Sequence, residues 1–111
     1  MCGRINLRVS PAELKEMFDL FREPEWSPRY NIGPMQRVLA VRRKSEGIRL
    51  AEPLQWGLVP HWAKDPRVGS QMSNARSETV STKPSFREAF AQRRCLIPAS
   101  GFYEWQVINR D

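Results

Sequence analysis

Short apolar runs separated by polar and turn-forming residues predict a chain of short strands. Five segments have this pattern: residues 2–7, 38–41, 48–58, 95–97 and 101–107. Ser45-Glu46-Gly47 predicts a turn between the second and third of them, and Pro53 predicts an interruption within the third.

Two segments have helical spacing instead. Ser10, Pro11 and Glu13 have the order of an N-cap, a first-turn proline and a capping glutamate. The apolar face that follows comprises Leu14, Met17, Phe18 and Phe21. A second, shorter helix is predicted over residues 85–92, where Phe86, Ala89 and Phe90 share a face. Residues 22–35 and 59–73 are rich in proline and glycine and are predicted to be loops; a loop as long as the second is usually functional or disordered.

Length and composition narrow the class of protein. A chain of 111 residues suits one domain. It contains no apolar run of about 18 residues and no signal-peptide core, so we expect no membrane partner and a place in the cytoplasm, close to the nucleoid in a bacterium. Cys2, Cys95 and His61 are too few for a zinc site, and a disulfide is not expected in a reducing compartment. No cofactor is predicted.

The charge is positive and unevenly distributed. The net charge is +6. Residues 1–25 hold four basic and five acidic residues, so the remainder carries +7. Of the 18 basic residues, 14 are arginine, which binds phosphate in a bidentate manner. This excess fits either an ordinary basic surface or a nucleic-acid partner.

Cys2 is the first candidate for chemistry. Removal of Met1 before a small residue would leave an α-amine and a thiol on adjacent carbons, both partly nucleophilic at neutral pH. Such a 1,2-aminothiol converts an aldehyde first to an imine and then to a thiazolidine ring. N-terminal-nucleophile amidotransferases also begin Met-Cys-Gly, with the thiol attacking an amide. Arg4, a phosphate-type ligand beside the nucleophile, favours the first interpretation, and the second stays open.

Three further segments carry candidate functional groups. Asn74 offers a donor and an acceptor that can orient a sugar, and Arg76 can hold a phosphate; a helix N-terminus with a solvated face is the alternative, which the segment by itself favours. Glu104 is predicted to lie on a strand between aromatic residues, where partial desolvation would suit acid–base work. Trp62 follows Trp56 at the exit of a strand and can stack on a base, whereas Trp56 is predicted to be core.

These segments together resemble the SRAP (SOS-response-associated peptidase) family. The matching motifs run in the family order along essentially the whole chain: Met1-Cys2-Gly3-Arg4, Tyr30-Asn31-Ile32-Gly33-Pro34, Trp56-Gly57-Leu58-Val59-Pro60 with Trp62, Asn74-Ala75-Arg76-Ser77-Glu78-Thr79, Arg94-Cys95-Leu96-Ile97-Pro98-Ala99 and Gly101-Phe102-Tyr103-Glu104-Trp105. The resemblance implies an α+β fold, a curved, barrel-like and mostly antiparallel sheet with a few short helices. It also implies a covalent cross-link to abasic sites in single-stranded DNA, with lyase-like chemistry and self-processing as the peptidase activity.

The resemblance also implies a role for each matched residue. Cys2 is the covalent nucleophile, Asn74 positions the ring-opened sugar, and Glu104 moves protons. The DNA-binding residues that it implies are Arg4, Asn31, Pro34, Trp62 and Arg76. Family domains are about twice as long as this chain, and a family histidine lies in the part that this sequence does not contain. We therefore expect residues 1–111 to be the N-terminal portion of one SRAP domain; a non-catalytic nucleic-acid-binding remnant and an N-terminal-nucleophile hydrolase are the alternatives.

Overall fold

A computed structural model describes residues 2–109 of the protein. Met1, whose removal the sequence predicts, lies outside the described residues, as do Arg110 and Asp111. The elements in chain order are β1 (Ile5–Leu7), α1 (Pro11–Phe18), β2 (Arg29–Ile32), β3 (Arg37–Ser45), β4 (Ile48–Gln55), a 3₁₀ helix (Pro66–Gln71), α2 (Arg87–Gln92) and β5 (Gly101–Phe102).

Helix α1 begins as the capping residues predict. The Glu13 backbone N–H donates to the Ser10 side-chain oxygen over 3.2 Å, which satisfies a donor that the helix leaves unpaired. Asp19 takes a left-handed conformation at the C-cap and ends the helix. Of the predicted apolar face, Leu14 is buried, whereas Phe21 lies beyond the helix and is exposed. The predicted helix is therefore confirmed, although its apolar face is shorter than expected.

The first sheet has the strand order β2–β1–β5, and both of its pairings are antiparallel. Strand β2 falls within residues 22–35, so the prediction of a loop there is wrong for residues 29–32. Ile32 is buried opposite Ile5 of β1. This pairing joins residues far apart in sequence, and local composition does not reveal such a partner.

Strands β3 and β4, joined at the predicted turn, form a hairpin that is a separate two-stranded sheet. Gly47 takes φ +73° in the turn, which glycine adopts without strain. The predicted interruption at Pro53 is wrong, because β4 continues through Pro53 opposite Leu39. Proline lacks a backbone N–H, but β4 has only one strand neighbour in this sheet, so its other edge needs no donor.

The later part of the chain has less regular structure than its apolar runs predict. Helix α2 begins at Arg87, two residues after the predicted start. The predicted loop at 59–73 contains the 3₁₀ helix. The strand predicted over 95–97 is reduced to one bridge between Val41 and Leu96, and the strand predicted over 101–107 ends at Phe102. An alternating sequence pattern is not sufficient for a strand, because each strand also needs a neighbouring strand with which to pair.

The core lies between α1, β1, β2 and β3. Its buried apolar members are Ile5, Leu7, Leu14, Leu20, Ile32, Val38, Leu39 and Val41. The mixed α+β fold with antiparallel sheets is confirmed, but within residues 2–109 the two sheets do not close into a barrel. None of the helices in this described part is long and apolar enough to cross a membrane.

Candidate functional site

Cys2 and Asn74 meet although 72 positions separate them. The Asn74 side-chain Nδ2 donates to the Cys2 carbonyl oxygen over 2.8 Å. Both residues are half-buried, and the Cys2 side chain packs against the core. The Cys2 Sγ lies 4.0 Å from the Arg4 carbonyl oxygen. The structure therefore brings together two of the three residues to which the sequence assigns catalytic roles.

Arg4, two residues after Cys2, is bonded to Asn31 of β2. The Arg4 Nη1 donates to the Asn31 side-chain oxygen over 3.2 Å, across the β1–β2 pair. The guanidinium group also lies against Gly33, where an added Cβ would stand 3.0 Å from the Arg4 Cζ. Gly33 therefore leaves the space that the arginine occupies. Pro34 follows directly and is half-buried, so the predicted DNA-binding residues of this loop adjoin one another.

Glu104 directly follows Tyr103, whose two hydrogen bonds attach this segment to Arg4 and Tyr30. The Tyr103 N–H donates to the Arg4 carbonyl oxygen over 2.9 Å, which extends the contact between β5 and β1. The Tyr103 hydroxyl donates to the Tyr30 carbonyl oxygen over 2.6 Å. The predicted strand alternation at Tyr103–Trp105 is wrong because the strand ends at Phe102, and Glu104 is exposed rather than desolvated between aromatic rings.

Arg76 lies near Asn74 but faces a different environment. It is exposed, two residues beyond the half-buried Asn74. The Arg76 carbonyl accepts from the Thr79 and Val80 N–H groups, so the segment turns here. The helix start predicted for this segment is wrong: the chain makes successive turns, and α2 begins only at Arg87. Arg76 is thus available to a solvent-side anion.

Trp62 is the most exposed aromatic residue of the loop between β4 and Asn74, at 57%. Its neighbour His61 contacts Glu88 of α2, with 3.2 Å between Nδ1 and Oε2. Arg93 donates to the same carboxylate over 2.9 Å. The pKa of Glu88 is lowered from its ordinary value, first by the hydrogen bond from Arg93 and then by the charge of His61. These contacts fasten the loop that carries Trp62 to α2.

Sequence patterns missed the arginines that surround the cleft beside Cys2. This cleft has a volume of about 760 Å³ and lies between the two sheets. Its lining includes Cys2, Ile5 and Val38, with Arg42, Arg94 and Cys95. The arginine pairs at 42–43 and 93–94 were visible in the sequence only as part of the overall positive charge, because their convergence depends on how β3 and α2 pack. Among residues 2–109, no group of three or more potential metal ligands lies together.

Comparisons with known proteins identify the family of the chain. The family model for "SOS response associated peptidase (SRAP)" matches residues 1–111. The chain belongs to the SRAP family. The abasic site processing protein YoaM of Bacillus subtilis is 43% identical over 98% of this chain and 49% of its own length. The abasic site processing protein HMCES of Rattus norvegicus is 37% identical over 96% of this chain and 36% of its own length. The chain thus spans about half the length of the Bacillus subtilis relative and 36% of the length of the Rattus norvegicus relative.

Solved structures share the SRAP fold described above. A protein from Bordetella bronchiseptica superposes with a TM-score of 0.74 at 28% identity, over 93% of this chain and 50% of the other. A protein from Bacteroides thetaiotaomicron gives a TM-score of 0.79 over 99% of this chain and 51% of the other. At 20% identity, the second shows a shared fold alone.

Proposed function

We propose that this SRAP chain takes part in the processing of abasic sites and bonds covalently, through Cys2, to abasic sites in single-stranded DNA. The observation that carries the proposal is the hydrogen bond from the Asn74 side chain to the Cys2 carbonyl, which sets a polar amide beside the nucleophile. The names of the relatives YoaM and HMCES, both abasic site processing proteins, point to the same substrate. The cytoplasm, beside the chromosome, is the corresponding place of action.

The chemistry starts once Met1 is removed and the Cys2 α-amine is free. That amine attacks the aldehyde carbon of the ring-opened deoxyribose, and loss of a water molecule gives an imine. The Cys2 sulfur then adds to the imine carbon, and its proton passes to the nitrogen. A five-membered thiazolidine ring results. Ring closure removes the carbon–nitrogen double bond that water would hydrolyse, so the adduct lasts. We assign the peptidase activity in the family name to the self-processing step that removes Met1.

Each site residue has a role in this scheme. Asn74 orients the sugar, because its amide is held against Cys2 with an acceptor oxygen to spare. Glu104 delivers the proton that the departing hydroxyl needs, from a segment whose neighbour Tyr103 bonds to the Arg4 carbonyl. Arg4 and Arg76 bind the flanking phosphates. Asn31, Pro34 and Trp62 complete the surface that meets the DNA, with Trp62 stacking on a base.

We also propose that residues 1–111 are the N-terminal portion of one SRAP domain. The matched relatives are about twice as long. Apolar side chains are exposed where a second portion would cover them: Leu96, Ile97, Phe102, Trp105 and Val107. The cleft between the sheets opens beside Ile97, one of these residues. Exposed apolar surface of this extent marks an interaction site.

Incubation of the 111-residue chain with single-stranded DNA that carries one abasic site, followed by denaturing electrophoresis, tests the covalent step. The wild-type chain should give a durable adduct, and intact DNA should give none. Cys2→Ala keeps the amine and should give only an imine that borohydride traps. Cys2→Ser should behave in the same way, because an oxygen ring is less stable. A residue retained in front of Cys2 should abolish both products.

The outcomes separate the three candidate functions. A durable adduct from Cys2→Ala would place the chemistry elsewhere and contradict the proposal. Binding of the wild-type chain to abasic DNA without any adduct would indicate the non-catalytic remnant. Hydrolysis of a glutamine amide that depends on Cys2, without an adduct on DNA, would indicate the N-terminal-nucleophile hydrolase. Cys95→Ala is the matched control, because it removes the second thiol that lines the same cleft and should leave the adduct intact.

A further inference from the structure

Asn74 lies at the end of a long loop, residues 56–73, and its position depends on the contacts that hold the two ends of this loop together. The chain leaves β4 at Gln55 and returns to the site only at Asn74. Two hydrogen bonds join the two ends of this loop. The Trp56 Nε1 donates to the Ser73 carbonyl over 2.8 Å, and the Leu58 N–H donates to the Met72 carbonyl over 3.0 Å. The Trp56 bond ends on the residue directly before Asn74.

Trp56 is itself fixed to the rest of the fold. Its backbone N–H donates to the Gln36 carbonyl over 2.9 Å, and its carbonyl accepts from the Met35 N–H over 2.8 Å. Its half-buried ring packs against the core. Because Trp56 is fixed to the core, the hydrogen bond from its indole N–H also fixes the position of Ser73. A side chain anchored at both its backbone and its ring loses little freedom when it makes one more bond.

A close contact between two backbone segments also holds this loop together. Gly57 takes φ +123°, and a Cβ added there would overlap the carbonyl oxygen of the buried Gly69. A Cβ at Gly69 would lie 3.0 Å from the Gly57 carbonyl oxygen. Glycine is required at position 57, where φ is positive and a Cβ would overlap backbone, and Gly69 avoids a crowded contact where the 3₁₀ helix meets the chain that follows Trp56. The loop is thus held by this backbone contact as well as by the hydrogen bond from Trp56 to Ser73.

We propose that Trp56 is a positioning residue: its indole N–H holds Ser73, and through Ser73 it holds the Asn74 amide against the Cys2 carbonyl. This inference rests on the proposed function only for its consequence in catalysis. Small displacements of a reacting or orienting group reduce rates strongly, by about 10²-fold for a shift of about 1 Å. Loss of the bond should therefore slow adduct formation while leaving DNA affinity and folding nearly unchanged.

Trp56→Phe removes the N–H and keeps an aromatic ring in the core. Trp26→Phe is the matched control, because Trp26 also packs half-buried against the core, and its buried Nε1 has no hydrogen-bond partner within residues 2–109. Single-turnover adduct formation at saturating abasic DNA should slow at least about tenfold in Trp56→Phe. The DNA concentration for half-saturation should change by less than about twofold, and in an Asn74→Ala background Trp56→Phe should add less than about twofold.

A second measurement does not depend on activity. The side-chain amide resonance of Asn74, assigned by its loss in Asn74→Ala, reports the bond to the Cys2 carbonyl. Its proton exchange should speed up about fivefold or more in Trp56→Phe and stay at the wild-type rate in Trp26→Phe. An unchanged Asn74 exchange rate in Trp56→Phe would overturn the inference, as would equal effects of the two tryptophan variants on adduct formation. If the wild-type chain forms no adduct but the exchange rates follow this pattern, the positioning role stands and the proposed function fails.

Discussion

Residues 2–41 and residues 42–109 are held in place by different forces. Within the described chain, every buried Ala, Val, Ile and Leu side chain lies between Ile5 and Val41. The second region contains most of the large exposed apolar side chains, among them Leu96 at 62% and Trp105 at 94% exposure. The first region is therefore stabilised by burial of apolar surface, whereas the second depends on individual hydrogen bonds and turns.

The candidate site joins the two regions, and this arrangement explains how it is built. Cys2, Arg4 and Asn31 come from the cored region, where β1 and β2 set their spacing. Asn74 and Glu104 come from the second region and approach through the bonds from Asn74 to Cys2 and from Tyr103 to Arg4. Cys2 thus packs against the core, whereas Asn74 and Glu104 belong to segments that are held by specific polar contacts. Mutations in the two regions should consequently differ in kind.

The largest effect is expected in the core. Leu39 is 1% exposed, so Leu39→Ala should lower the free energy of unfolding by about 2–5 kcal/mol through lost burial and a cavity. Leu96→Ala is the control in the second region, and because Leu96 is largely exposed it should cost less than about 0.5 kcal/mol. Urea unfolding followed by circular dichroism measures both. Equal costs would show that the second region has a core of its own, and the comparison would fail.

Glu104→Gln tests a site residue of the second region. It keeps the shape of the side chain and removes its ability to transfer a proton. We expect adduct formation to slow about 10²-fold, within the range for general acid–base catalysis, with little change in stability or DNA affinity. Single-turnover kinetics on abasic DNA provide the rate. The control is Glu46→Gln in the β3–β4 turn, and a rate for Glu104→Gln equal to that control would remove Glu104 from the mechanism.

Arg76→Ala should have the smallest effect, confined to binding. Removing one phosphate contact should weaken binding to all single-stranded sequences alike and reduce the slope of log affinity against log salt by about 0.7. Fluorescence anisotropy at several salt concentrations measures this slope. Arg22→Ala, an exposed arginine in the acidic N-terminal segment, is the control. A slope that is identical in both variants, or a loss of affinity for one sequence only, would argue against a phosphate contact at Arg76.

The parts of the fold that were predictable depend on local interactions. Helix α1 and its cap follow from Ser10, Pro11 and Glu13, and the β3–β4 hairpin follows from the turn at Gly47. Strand β2 and the end of β5 were not predictable, because each depends on β1 as a distant partner. The interruption predicted at Pro53 was wrong for the same reason, because a strand tolerates proline only where the edge that lacks the N–H has no neighbouring strand.

The candidate site divides in the same way. The residue types and their order along the chain, from Cys2 through Asn74 to Glu104, already indicate nucleophile, orienting amide and acid, because chemistry belongs to the side chains themselves. Only the tertiary structure decided that Asn74 reaches the Cys2 carbonyl, that Glu104 is exposed beyond β5, and that Trp56 is bonded to Ser73, directly before Asn74. Contacts between residues so far apart in sequence must offset the entropy of closing the chain, and they form only where the packed core brings their strands together.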